Sequence, residues 1–99
     1  MYVIREVLHC HPGRVREMLL KFKALSAAIV AMGQQPLRLL TDVTGEPFWT
    51  IVAEAEVANI DDFFVMERRL MANEALRSTM ADYHALIQQG RREIYRIES

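Results

Sequence analysis

The apolar residues of this chain change period several times, and each change marks the edge of an element. Tyr2 to His9 is rich in β-branched and aromatic residues and stops at His11-Pro12-Gly13, which reads as a strand followed by a breaker. From Arg14 the period becomes helical. Val15, Met18, Leu19, Phe22, Leu25, Ile29 and Met32 share one face, and Arg14, Arg16, Glu17, Lys21 and Lys23 lie opposite. Gly33 is placed to end that helix in a left-handed cap. Pro36 to Asp42 reads as a short second strand, Val43 to Pro47 as a turn, and Phe48 to Val57 as the longest strand. Asn59 then caps a second helix whose dipole Asp61 and Asp62 complement. An interruption at Ala72-Asn73 precedes a second apolar stripe, Leu76, Met80, Tyr83 and Ile87, running as helix up to Gly90. Arg91 to Ile97 is the last strand.

The order βαββαβ, with helices of about 19 and about 30 residues, predicts an α+β fold: a ferredoxin-like sandwich with a four-stranded antiparallel sheet and both helices on one face. No linker, repeat or low-complexity segment divides residues 1–99, so one domain is expected. In the third strand Trp49, Ile51, Ala53, Ala55 and Val57 form the apolar, helix-facing set, and Thr50, Val52, Glu54 and Glu56 face the other way. Ala24 to Met32 is apolar almost all round, as a helix is when both its sides are covered. With an open sheet face as well, the chain is expected to form a homodimer through that face and the Ala24–Met32 region.

Composition narrows the field of functions. Twelve basic against 13 acidic residues give a formal charge of −1, so nucleic acid and anionic membranes are not expected partners. The longest near-apolar run falls far short of the roughly 20 residues of a membrane span. One cysteine, Cys10, rules out an intrachain disulfide, and the N-terminus reads as a strand and not as a signal peptide; a cytoplasmic protein is expected. His9-Cys10-His11 offers metal-ligand types at a spacing that suits no single ion, and there is no Gly-rich phosphate loop or nucleophile elbow. No metal or other cofactor is expected.

His11-Pro12-Gly13-Arg14-Val15-Arg16-Glu17-Met18-Leu19 resembles the stretch that opens the first helix in dimeric α/β-barrel proteins, the superfamily of the antibiotic-biosynthesis monooxygenase and NIPSNAP-like families. Gly90-Arg91-Arg92-Glu93-Ile94-Tyr95 is similar to the terminal strand of NIPSNAP-like proteins. The resemblance implies two sheets packed face to face across a two-fold axis, with a ligand cleft between sheet and helices in each subunit. In the haem-degrading branch a strand-one Asn falls on Glu6, which implies that Tyr2, Ile4, Glu6 and Leu8 face the cleft. Arg5, Val7 and His9 would then share the opposite face with Glu54 and Glu56, where Arg5 can meet a glutamate across adjacent strands. That branch also uses a third-strand Trp and a second-helix His; Val57 and Glu67 stand there instead, and neither can serve a haem in that way.

The candidate site follows from these faces. Glu6 is a carboxylate on an apolar strand face, where it either pairs with a cation or takes up a proton more readily than in water. Tyr83 and His84 lie on or beside the second stripe, and a His there can move a proton while a Tyr orients a carbonyl or phenol. Glu6, His84 and Tyr83 are therefore the candidate catalytic residues, with Trp49 and Met80 as candidate ligand-binding residues. Each has a structural alternative: a paired strand carboxylate, a half-exposed helix edge, a packed core. The run Glu67-Arg68-Arg69 reads as a solvated helix face. Two functions remain in view, both on a small dimeric barrel protein. One is non-catalytic, either binding of a hydrophobic small molecule or assembly in which the dimer itself is the end; the other is cofactor-independent catalysis, of monooxygenase or isomerase type, on an aromatic or polyketide-like substrate.

Overall fold

A computed structural model describes residues 1–99. Its elements are β1 (Tyr2–Cys10), α1 (Val15–Ala31), β2 (Arg38–Thr41), β3 (Thr50–Val57), α2 (Ile60–Ala72), α3 (Glu74–Met80), a single 3₁₀ turn (Tyr83–Leu86) and β4 (Ile87–Arg96). The strands form one antiparallel sheet in the order β2-β3-β1-β4. The helices lie on one side of it, so the fold is the α+β ferredoxin-like sandwich expected from the element order. The other side of the sheet carries no element of this chain.

Local chemistry sets the helix ends. Gly33, at φ 85°, closes α1 with a pair of backbone bonds, Gly33 N–H to Val30 O and Gln34 N–H to Ile29 O. This is the Schellman arrangement, which requires a left-handed residue at that position. Asn59 Oδ1 accepts from Asp61 N–H at 2.8 Å, and Asn73 Oδ1 accepts from Leu76 N–H at 3.0 Å. Asn73 thereby splits the second helical region into α2 and α3, as the sequence indicated.

The end of that region departs from expectation. α3 stops at Met80, and Asp82 turns left-handed at φ 65°. Lys21 on α1 donates to Thr79 O at 2.7 Å and Ala81 O at 2.9 Å, satisfying carbonyls that a continuing helix would have used. Tyr83 to Leu86 makes one 3₁₀ turn, and Ile87 to Gly90 belong to β4, not to a helix. The reason is the length of β1: Ile87 pairs with Cys10 and Gln89 with His9, so the strand starts early to cover its neighbour.

The register confirms the assigned faces of β1 and β3. Leu8 and Cys10 pack with Ile51, Ala53, Met18, Phe22 and Leu86 in the main core cluster, on the helix side. A second cluster, Ile29, Leu70 and Leu76, joins the three helices. On the open side Arg5 stands opposite Glu54 and donates from Nε to its Oε2 at 2.7 Å, and Arg38 reaches Oε1 of the same carboxylate at 2.7 Å. Trp49 is a correction to the third strand. It lies before β3 in a left-handed conformation, φ 71°, its carbonyl accepting from Cys10 N–H at 2.9 Å, so its side chain leaves the alternation and is partly exposed.

Candidate functional site

Between the sheet and the α1–α2 pair lies a cleft of about 80 Å³, lined chiefly by apolar side chains. Ile4, Ala53 and Ala55 form its floor on the sheet. Phe22, Leu25 and Ile29 of α1 and Phe63, Met66 and Leu70 of α2 form its walls. The alanines matter: small residues on β3 leave a gap where larger ones would meet the helices. The volume is that of roughly two or three water molecules, well under the space a drug-sized ligand occupies. A molecule bound here would seat only an apolar end in this conformation.

Glu6 is the polar exception in the sheet floor, and it is paired. Arg92, its register partner on β4, donates from Nε to Glu6 Oε1, while its Nη2 donates to Glu67 Oε2 at 2.5 Å. Glu67 also lines the cleft. The guanidinium stands 5.2 Å from the centre of the Phe63 ring and 5.8 Å from that of Phe64, within cation–π range. Burial opposes its charge, but hydrogen bonds to Glu67 and Glu6 outweigh that and hold Arg92 above its ordinary pKa. The second oxygen of Glu6 has no hydrogen bond from the protein.

Of the residues singled out from the sequence, Glu6 lines this cleft and the others lie elsewhere. Tyr83 packs against the main core cluster, and the exposed His84 ring rests on it with centroids 3.9 Å apart. Met80 packs against the Ile29–Leu70–Leu76 cluster, and Trp49 stands at the turn before β3. Of the strand-one ligand types, Cys10 is in the core, while His9 lies on the opposite face, its Nδ1 2.9 Å from Thr50 Oγ1. The Thr50 hydroxyl gives its proton to Pro47 O at 2.6 Å, so His9 Nδ1 must be the donor to it.

Arg92 and Glu67 were missed. Glu67 reads locally as part of a solvated charged face, yet it turns inward to Arg92. The strand alternation that sends Ile94 to the helix side sends Arg92 there too.

The fold is that of the NIPSNAP and antibiotic-biosynthesis-monooxygenase structures. A NIPSNAP family protein from Agrobacterium tumefaciens superposes with a TM-score of 0.80 at 17% identity, over 98% of this chain and 86% of that one. An uncharacterized NIPSNAP-like domain protein from Burkholderia xenovorans gives 0.81 at 18% identity, over 99% and 85%. A proposed antibiotic biosynthesis monooxygenase from Deinococcus radiodurans gives 0.72 at 8% identity, over 100% and 94%. At these identities the likeness is one of fold. No protein-family model and no curated protein matches the sequence.

Proposed function

We propose that this chain is a homodimeric α/β-barrel protein, NIPSNAP-like, that binds a hydrophobic small molecule in the cleft between its sheet and its helices. The observation that carries the reading is the cleft itself: apolar side chains on three sides and, at its polar edge, the Glu6–Arg92–Glu67 bridge. Apolar concavities with a few converging polar groups are the usual form of a small-molecule site. Support for the dimer comes from the uncovered sheet face and from Val30, which is exposed on the apolar part of α1. No helix is long and apolar enough to cross a membrane, and the balanced charge gives no draw toward nucleic acid. Titration with n-hexanol, followed by methyl resonances, tests the binding. The methyls of Ile4, Ile29 and Leu70 should shift together, and filling the cleft with Ala55→Leu should abolish the response. Shifts confined to exposed methyls would refute the reading.

A second reading has one observation in its favour. The unpartnered oxygen of Glu6 is a hydrogen-bond acceptor at an apolar cleft, as a general base in a cofactor-independent monooxygenase or isomerase would be. In that case Glu6→Gln abolishes turnover of an aromatic or polyketide-like substrate with the fold intact. Under the binding reading there is no turnover to lose.

A further inference from the structure

The polar edge of the cleft has a definite sign. Its charged groups are Glu6 and Glu67 against the single guanidinium of Arg92, a formal sum of −1. Three of the five N–H groups of the guanidinium face these acids: Nε serves Glu6, Nη2 serves Glu67, and Nη1 faces Glu67 again at 3.5 Å. An incoming carboxylate would find only the N–H groups that these acids leave over, and it would then sit beside two like charges. A donor meets the opposite situation. Glu6, which lines the cleft, keeps one oxygen without a protein hydrogen bond.

Resting on the binding reading above, we infer that the ligand of this cleft is an amine: an apolar alkyl or aryl body whose protonated nitrogen donates to Glu6. The small internal volume fits this division of the molecule. Only the apolar end enters the space beside Ile4, Ala55 and Phe63, and the nitrogen remains at the mouth, partly hydrated. A cation left in water at the rim loses little solvation. Its attraction to the carboxylates is weakened by salt for the same reason.

Matched probes separate this inference from the reading it rests on. Hexylamine, n-hexanol and hexanoate share one apolar tail, and at pH 7 and low ionic strength they carry a positive, a zero and a negative charge. Titrated against the whole protein, with the methyls of Ile4, Ile29 and Leu70 as reporters, hexylamine should bind about ten-fold or more tightly than hexanoate, with hexanol between them. The preference should narrow in Glu67→Gln and reverse in the Glu6→Gln, Glu67→Gln double variant, where Arg92 is left alone. Equal or tighter binding of hexanoate by the native protein overturns the amine assignment and leaves the cleft as a binding site. Absence of cleft shifts with all three probes overturns both.

Discussion

Glu6 and Arg92 face each other across the β1–β4 ladder on the helix side of the sheet, and the same guanidinium goes on to Glu67 of α2. One arginine thus ties two strands and a helix together at the edge of an apolar cleft. Sequence reasoning left two fates for Glu6, a paired carboxylate or a proton carrier. The structure supplies the pairing cation, and it comes from a strand more than eighty residues further along the chain.

Removing that cation should hurt more than removing either acid. Arg92→Met leaves two part-buried carboxylates facing one another and takes away the group that lies over Phe63 and Phe64. With each partner about a third exposed, a loss of about 1–2 kcal/mol is expected, between the values for surface and buried pairs. Chemical denaturation measures it. Adding Glu6→Gln to Arg92→Met should recover part of the loss; a double variant weaker by the full sum would show that the pair does not interact.

The opposite face of the sheet is expected to set the acid limb of stability. Glu54, 8% exposed, accepts from Arg38 and Arg5, which lower its pKa against the opposing effect of burial. Glu93, bonded by Arg91, is lowered as well. A carboxylate whose folded pKa is depressed binds fewer protons folded than unfolded. Its stabilisation is therefore complete above the ordinary carboxylate range and is lost as pH falls through that range toward the folded value. The melting temperature should be level from pH 7 to about 5 and fall below that. Glu54→Gln should lower the plateau and flatten the fall; an unchanged acid limb would mean that other carboxylates control it.

Gly90 has a packing reason. It lies opposite Leu8 in the β1–β4 register, and a Cβ there would come within 2.5 Å of Leu8 Cδ2. Leu8 belongs to the main core cluster, so moving its methyl disturbs Cys10, Ile51 and Leu86. Gly90→Ala is expected to cost about 1 kcal/mol, which in a chain of this size lowers the melting temperature by about 4–8 °C. Leu8→Val in the same chain should relieve part of it. If Gly90→Ala melts with the native protein, Leu8 has free room to turn.

What the sequence disclosed follows the range of the interactions. Asn59, Asn73 and Gly33 act within a few residues of themselves, and each caps the helix end its type suggests. The alternation of Ile51, Ala53 and Ala55 identified the core face of β3 because Ile51 and Ala53 are buried against the helices and Ala55 is half-buried beside them. The stripe Leu76, Met80, Tyr83, Ile87 misled, since its spacing is helical although Asp82 breaks the helix and Ile87 is drawn into pairing with Cys10. Trp49 misled in the same manner: alternation holds only while the backbone is extended, and its left-handed φ ends that. Arg92 was hidden because its partners are set by the register of the first and last strands, which no local pattern encodes.

The open sheet face makes the last prediction. Leu40 is 41% exposed and Tyr95 49%, and half-buried Val52 lies on the same face among the arginine and glutamate pairs, its register neighbour Val7 being buried. In the isolated chain this leaves an apolar strip in water on a small protein, and burying it against a second copy is worth about 25 cal/mol per Å² of apolar area. Several of the charges on this face are paired within each chain, Arg5 and Arg38 holding Glu54 and Arg91 holding Glu93, while Glu56 has no salt bridge. Two copies related by a two-fold axis bring the same face to itself, so a single substitution enters the contact twice. The native protein is therefore expected to sediment as a dimer at micromolar concentration. Val52→Glu, which sets an unpaired carboxylate in the strip on both copies, should yield monomers that keep the native far-UV circular dichroism. A native chain that sediments as a monomer would end the dimer proposal. A dimer unaffected by Val52→Glu would move the contact away from the sheet, toward the exposed Val30 side of α1.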